Sequence, residues 1–260
     1  MVEQPKRPFI KEWHLKGYFT FLAFTLVILM SADFTGVGQP FSGDQFMDLV
    51  YKMLHPDWSY LPAIITPLLQ TIQMALVGTL VGCLLAVPLA FLAYKKIVKN
   101  KYIRLAIRLV LNLMRSLPEM LLAALFVAVF GIGAFSGVCA LTVFSMGMMF
   151  KLLYEAIETI DKGQLEALKA AGATKIQMAI FAIVPQIFKY YLGFFLYTLE
   201  LNVRASTILG YLGAGGIGLY LNTTLESLRY DRTAVVILAI LVVVVLVDFL
   251  SNRLREALSA

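Results

Sequence analysis

Long apolar segments recur along this chain and constrain its fold more than any other feature. One of them, residues 234–247, holds fourteen apolar side chains without a break. A helix crosses the bilayer core with about 20 mainly apolar residues, so such segments are typical of membrane-spanning helices. Apolar residues make up 60% of the chain and charged residues 15%, against about 45–50% and about 25% in soluble domains. This composition argues against a soluble enzyme, a disordered tail or a nucleic-acid module and predicts an all-α, polytopic membrane protein.

The apolar segments predict about six transmembrane helices. They lie near residues 18–32, 63–94, 106–131, 138–160, 184–203 and 234–250. The first could also be a cleavable signal peptide, because a basic stretch precedes a short apolar run. No clear small-x-small cleavage site follows it, which favours a retained anchor.

The distribution of Lys and Arg predicts the orientation, because positive residues are retained on the cytoplasmic side. Two segments are rich in basic residues: Lys6, Arg7, Lys11 and Lys16 before the first span, and Lys95, Lys96, Lys99, Lys101, Arg104 and Arg108 after the second. The link over residues 33–61 instead carries four Asp and one Lys. We therefore expect both basic segments and both termini inside a bacterial cytoplasmic membrane. The net charge of +6 then reflects orientation in the bilayer and predicts no nucleic-acid partner.

Motifs for catalysis and cofactor binding give no support for an enzyme. Residues 213–218 match G-x-G-x-x-G, but they lie between two predicted spans with no strand before them, as a dinucleotide site requires. The chain has no G-x-x-x-x-G-K-[ST] phosphate loop, and its two histidines, His14 and His55, lie in polar flanking segments. Cys83 and Cys139 fall inside predicted spans, which favours packing over a metal site. We expect no catalytic residue, no metal and no cofactor, and energy supplied by a partner.

A polar break separates the fourth and fifth predicted spans. Residues 151–175 contain four Lys and four Asp or Glu, too many charges for lipid, in a strongly helix-forming stretch. A helix here would present Ala167, Ala170 and Ala171 as a smooth docking surface, and Gly172 would let the chain turn away. The alternative is a solvated helical loop with no partner.

This segment resembles the signature of the permease subunits of bacterial ABC importers, which is E-A-A, three residues, G, nine residues, I-x-L-P. Glu166, Ala167, Gly172 and Pro185 match it at the right spacing, and the departures are Leu168, Ala182 and Val184. The resemblance implies the type I importer permease fold. It also implies that residues 161–175 form a coupling helix that docks into a cytoplasmic ATPase subunit. On this basis residues 1–62 hold the N-terminal segment, first span and outer loop, and residues 63–260 form the permease core.

A second stretch narrows the resemblance. Residues 200–207, with the sequence ELNVRAST, the glycine-rich residues 210–218 and the tail 248–255 look like the phosphonate importer permeases. The similarity covers roughly residues 63–255. It implies a homodimer, a separate ATPase that binds ATP and Mg²⁺, and an extracytoplasmic substrate-binding protein. The implied function is import of a phosphonate or a related phosphorus oxyanion, such as phosphite or phosphate.

The chemistry of several residues in this stretch suits an oxyanion. An anion that leaves water needs donors in its place, since an uncompensated buried charge is very costly. Arg204 offers a bidentate guanidinium, Ser206 and Thr207 offer hydroxyls, and the backbone N–H groups around Gly213, Gly215 and Gly216 could form an anion nest. Against a role for Arg204 in the pathway, Glu200 lies one helical turn earlier and could simply neutralise it.

Alternatives remain open at this point. The chain could be an ABC permease for methionine or another small solute, or a secondary transporter or channel without an ATPase. An intramembrane enzyme is disfavoured for want of catalytic groups. Arg115 and Glu119 repeat the i,i+4 spacing around Pro118. They are either intramembrane functional candidates or residues at the cytoplasmic margin.

Overall fold

The computed structural model describes residues 9–31 and 43–259. Within these ranges the chain is almost entirely helical and contains no β-strand. The predicted basic residues Lys6 and Arg7 and residues 33–42 of the predicted outer loop lie outside the described residues. Eleven α-helices follow one another in the described part: α1 (Phe9–Ser31), α2 (Gly43–Leu54), α3 (Leu61–Ala93), α4 (Lys101–Ser116), α5 (Glu119–Phe130), α6 (Ala134–Thr159), α7 (Lys162–Ala170), α8 (Lys175–Met178), α9 (Val184–Leu209), α10 (Ile217–Glu226) and α11 (Tyr230–Ser259).

Contacts divide the chain into two compact units, residues 1–48 and 49–260. The first unit contains α1, whose side chains over residues 17–28 are exposed. Its apolar part, Gly17–Ile28, is shorter than a full span. The second unit begins within α2, at Leu49, and contains all of the helices that follow. The domain boundary expected between residues 62 and 63 stays a prediction.

Four helical stretches among the described residues are long and apolar enough to cross a membrane. They are Trp58–Ala93, Ala134–Thr159, Lys175–Ala214 and Tyr230–Leu258. The bent pair α4 and α5 makes a fifth if it is counted as one span. The six predicted segments therefore correspond to these four helices, the bent pair and the shorter apolar stretch of α1.

The region predicted as one span over residues 106–131 is instead two helices that meet at 92°. Leu117 is extended, with ψ 130°, and Pro118 caps the next helix. Proline has no N–H and disfavours the helical conformation in the residue before it, so α4 ends there. The twelve residues of α5 extend about 18 Å, short of a bilayer core of about 30 Å. The break therefore lies within the membrane-spanning region.

Helices α3 and α6 form the most extensive helix pair in the second unit. Gly78 and Gly82, a G-x-x-x-G pair on α3, allow this close packing because neither carries a side chain. A Cβ at Gly78 would lie 2.6 Å from Leu141 Cβ, and one at Gly82 would lie 2.6 Å from Ser145 Cβ. Small residues four apart let two membrane helices approach to backbone contact. The G-x-x-x-G pair is thus a packing motif within the chain.

The start of α3 is joined to α11 at one end of the second unit. Ile64 packs with Ile217, Val235 and Val236 in a buried apolar cluster. Beside it, Arg232 Nε lies 3.3 Å from Asp57 Oδ2. The pKa of the Asp57 carboxylate lies below its usual value, because the Ser59 side chain and Arg232 donate hydrogen bonds to it.

Candidate functional site

The polar break predicted to couple to a partner forms a short exposed helix, α7. Asp161 caps its N-terminus by accepting a hydrogen bond from the Gly163 N–H at 2.9 Å. Leu165 is buried in an apolar cluster with residues of α3, α6 and α9, and Leu168 packs against that cluster. This face therefore holds α7 against the rest of the second unit. The opposite face is exposed and comprises Glu166, Ala167, Ala170 and Ala171.

Gly172 ends α7 in the left-handed region, with φ +78°. Its N–H donates to Lys169 O at 3.1 Å, and the Ala173 N–H donates to Leu168 O at 3.0 Å. This pair of bonds is the Schellman motif, which strongly favours glycine at that position. A second helix begins two residues later with a reciprocal capping box between Thr174 and Gln177. The whole helix–turn–helix is therefore specified by local sequence.

Pro185 lies apart from α7 in sequence but is tied to it through the next residue. Gln186 Oε1 accepts from the Asp161 N–H at 2.9 Å, and its Nε2 donates to Gln164 Oε1 at 3.1 Å. A π-helical turn, Ala179–Ile183, precedes Pro185, and a wider turn relieves the proline clash with the preceding helical carbonyls. The structure thus brings all six predicted coupling residues into one connected segment, although their role stays a prediction.

The only charged contact of Glu166 among the described residues is weak. Lys96 Nζ, from the link between α3 and α4, lies 4.0 Å from Glu166 Oε1, and the Glu166 side chain is 74% exposed. An exposed ion pair of this kind contributes little stability, typically below about 1 kcal/mol. The sequence reasoning found the motif residues but missed Gln186, which carries the stronger tertiary link.

Arg204 fits both interpretations left open by the sequence. Its guanidinium forms an ion pair with Glu200 and lies 3.7 Å from Asp248. Glu200 is buried and also accepts a hydrogen bond from Arg255 at 2.7 Å. The Arg204 side chain is nevertheless 48% exposed, and it lines an open cleft of about 580 Å³. Arg204 is therefore paired with Glu200 and also exposed on a cleft.

Ser206 and Thr207 both direct their hydroxyls to their own helix. Each donates to Val203 O, at 2.8 Å from Ser206 and 3.4 Å from Thr207. Ser206 is fully buried, whereas Thr207 is partly exposed. In this conformation the hydroxyl protons are satisfied locally, and the substrate role of the two residues stays a prediction.

The predicted glycine loop has the backbone freedom expected of it. Gly213, Gly215 and Gly216 all have positive φ, at +92°, +81° and +72°. The loop packs on α3, where Gly216 N–H donates to Gln70 Oε1 at 3.2 Å and Ile217 N–H donates to Thr71 Oγ1 at 2.8 Å. Two N–H groups at the predicted anion nest are thus bonded to protein side chains in this conformation. The sequence did not indicate Gln70 or Thr71.

A buried polar group joins three membrane-spanning helices. Asn202 Nδ2, on α9, donates to Thr79 Oγ1 of α3 at 2.7 Å and to Ser145 Oγ of α6 at 2.6 Å. All three side chains are fully buried, and Asn202 Oδ1 has no hydrogen-bond partner among the described residues. Together with Gly82, these residues form a mid-membrane layer that sequence reasoning missed. Only the polar residues within apolar spans could have suggested it.

Comparison with known proteins agrees with this helical membrane fold. The family model described as the binding-protein-dependent transport system inner membrane component matches residues 78–260. A phosphite transport system permease protein of Stutzerimonas stutzeri is 38% identical over 208 residues, which is 80% of this chain and 76% of that protein. A phosphate-import permease protein of Mycolicibacterium smegmatis is 33% identical over 234 residues, which is 90% of this chain and 44% of that protein.

A solved structure shows the same fold. The MetNI methionine ABC transporter in an inward-facing conformation matches with a TM-score of 0.69 over 78% of this chain and 99% of its own, at 22% identity. Membership of the matched family accounts for the long apolar helices. The chain therefore belongs to the binding-protein-dependent transport system inner membrane components and is a multi-pass permease subunit of an ABC importer.

Proposed function

We propose that this permease imports a phosphorus oxyanion, such as phosphite, a phosphonate or phosphate. The observation that carries the proposal is the similarity at 33–38% identity to relatives named for phosphite transport and phosphate import. Both relatives are matched over at least 80% of this chain. The place of Arg204 on an open cleft supports an anionic substrate.

Transport in this proposal is driven by a separate cytoplasmic ATPase. The exposed Glu166, Ala167, Ala170 and Ala171 dock into a cleft of that subunit, and its closure on ATP moves α7. Gln186 passes the movement to α9, because it bonds both Asp161 and Gln164. ATP and Mg²⁺ are bound by the partner, and this chain supplies no cofactor site.

The substrate pathway in this proposal includes Arg204, Ser206, Thr207 and the glycine loop. An anion that crosses the low-dielectric membrane region loses its water, so hydrogen-bond donors of the protein have to take the place of that water. Alternating access would release the Gly216 and Ile217 N–H groups from Gln70 and Thr71 as α3 and the loop separate. Donors that are occupied in one conformation and free in another allow the anion to bind and then leave.

The proposed assembly is a homodimer of permeases with two ATPase subunits and an extracytoplasmic substrate-binding protein. Both termini lie on the cytoplasmic side of the bacterial membrane. The charge pattern supports this orientation, because residues 95–108 carry six Lys or Arg. In the same orientation α7 faces the compartment that holds ATP.

The test is uptake by the complete complex in proteoliposomes. The permease is reconstituted with its ATPase and binding protein, and uptake of labelled phosphite is measured with and without internal ATP. We expect ATP-dependent uptake that excess phosphite, methylphosphonate or phosphate suppresses and excess methionine does not. Uptake of methionine in place of the anions, or anion uptake independent of ATP, would show the proposal to be wrong.

A further inference from the structure

We propose that Arg115, at the break between α4 and α5, binds the transported oxyanion in a mid-membrane cleft that it shares with Arg204. The identity of the anion rests on the proposed function above. The place of Arg115, its depth and its lack of an ion pair rest on the structure.

The cleft lies where the bent pair faces α9. Its volume is about 580 Å³, and its polar lining comes from two separate parts of the chain: Arg115, Ser116 and Glu119 from the bent pair, and Arg204 from α9. Phe144 of α6 and Ile208 of α9 provide apolar walls. Two guanidiniums on one cleft can donate charge-assisted hydrogen bonds to different oxygens of the same anion.

Contacts with α6 place Arg115 deep in the membrane-spanning region. A Cβ at Gly147 would lie 3.3 Å from Arg115 Cβ and 3.5 Å from its Cα and N, so the two backbones are in close contact. Gly147 is the fourteenth of the 26 residues of α6, and therefore lies at the middle of that span. The margin position that the sequence left open for Arg115 does not fit this contact.

Arg204 lies at a similar depth. It follows Asn202 by two residues, and Asn202 bonds Ser145, which is close to Gly147 on the same helix. The two arginines therefore line the cleft at the same depth in the membrane. Substrate sites at mid-membrane depth, beside broken helices, are a recurrent arrangement in secondary transporters.

Arg115 makes no direct ion pair within the described residues. Its guanidinium forms no ion pair or hydrogen bond with any residue in the described ranges, although Glu119 is four positions later. The break at Leu117–Pro118 removes the helical geometry that would bring the two side chains together. Ionisable residues inside a membrane mark substrate pathways by default, and the exposed Arg115 side chain on a cleft suits a ligand of opposite charge.

Other arginines in this region differ from Arg115. Arg108, two turns earlier on α4, lies over the Tyr154 ring at 4.1 Å and 3.9 Å from Glu158. Arg204 shares its charge with Glu200 and Asp248. The lining of the cleft thus carries two arginines and one carboxylate, Glu119, and of the two arginines only Arg115 has no ion pair within the described residues. A weakly positive site suits transport, since the anion has to leave as well as enter.

Uptake kinetics test the proposal in the complete complex. Arg115→Gln, Arg115→Lys and a matched control, Lys101→Gln, are compared with wild type for phosphite uptake and ATPase activity. Lys101→Gln removes one positive charge from the exposed start of the same helix. We expect Arg115→Gln to raise the KM for phosphite about ten- to hundredfold, the range for loss of hydrogen bonds to a charged group. Arg115→Lys should retain part of the affinity, and the control should retain all of it.

A chemical probe tests the cleft independently of transport. Ser116→Cys is introduced with Cys83 and Cys139 replaced by Ala, and its reaction rates with anionic and cationic methanethiosulfonates are compared. We expect a preference for the anionic reagent that phosphite suppresses and that Arg115→Gln removes. The control Lys101→Gln should match wild type in ATPase activity without substrate and in thermal stability. The thermal unfolding temperature of each Arg115 variant is measured as well, to establish that it folds.

The outcomes separate the two proposals. If wild type takes up none of the three anions, the proposed function is wrong, and the reagent preference alone decides whether Arg115 attracts anions. If wild type transports phosphite and Arg115→Gln does so with an unchanged KM, the inference about Arg115 is wrong and the proposed function stands.

Discussion

The coupling segment, residues 162–178, and the mid-membrane layer of Thr79, Gly82, Ser145 and Asn202 are built in opposite ways. In the coupling segment each cap joins residues two to five positions apart, as in the bond from Ala173 N–H to Leu168 O. In the layer, Asn202 bonds residues 57 and 123 positions away. A segment folded by local bonds can keep an exposed face for a partner, whereas the layer exists only when three helices are assembled.

This difference predicts two kinds of mutant. Changes in the layer should lower the stability of the whole permease, because they disturb the close packing of α3 against α6. Changes in the coupling segment should leave stability intact and reduce transport, because few contacts tie it to the rest of the chain. The following substitutions test this separation.

The largest effect is expected from Gly82→Val. A side chain at this position would meet Ser145 Cβ at 2.6 Å and Thr142 O at 2.5 Å. Overpacking of this kind costs about 3 kcal/mol at its upper range, so we expect a marked fall in thermal unfolding temperature in detergent. Gly193→Val is the matched control on α9, since nothing lies within 4 Å of its Cβ position. Equal melting of the two variants would contradict the close approach of α3 and α6.

Gly172→Val should have an intermediate effect confined to the coupling segment. The left-handed backbone at φ +78° costs a β-branched residue about 1–2 kcal/mol, while asparagine tolerates it. We expect ATP-driven uptake to fall severalfold in Gly172→Val and to be largely kept in Gly172→Asn, with thermal unfolding unchanged in both. A fall in unfolding temperature for Gly172→Val would mean that the segment is part of the structural core.

The smallest effect is expected from Asn202→Leu. The substitution removes two interhelical hydrogen bonds but also removes the buried Oδ1 that has no partner in the described residues. Hydrogen bonds between membrane helices average below about 1 kcal/mol, so a loss of about 1 kcal/mol is expected by reversible unfolding. Thr198→Val is the control, because Thr198 bonds only its own helix through Phe194 O. A loss no greater than that of the control would show that the layer is held by glycine packing alone.

Much of the fold could be predicted because its signals are local. Apolar runs predicted the long helices, and the E-A-x-x-x-x-G pattern predicted α7 and its turn. The sequence also marked Pro118 within a predicted span. It did not predict a 92° break there, because prolines at 67 and 88 are accommodated inside the continuous α3. Whether a proline ends a membrane helix depends on whether neighbouring groups form hydrogen bonds with the backbone atoms that the proline leaves without a partner.

The candidate site was predictable only in part, because many of its contacts join residues far apart in the sequence. The residues Arg204, Ser206 and Thr207 were found from their chemistry, but their hydrogen-bond partners were not, apart from Glu200 one turn away. Gln70 and Thr71 cover the glycine loop from 146 positions away. No periodicity or spacing indicates such a partner.

The sequence by itself determined that this chain is a helical membrane protein and that α7 is an exposed helix closed by glycine. Both follow from transfer free energies and backbone preferences, which act within one segment. Only the tertiary structure decided which charges have partners. It brings Arg255 of α11 to Glu200 of α9 and leaves Arg115 beside Gly147 with no ion pair in the described chain. That distinction depends on which helices meet at a given depth, and so it arises only when the chain is packed.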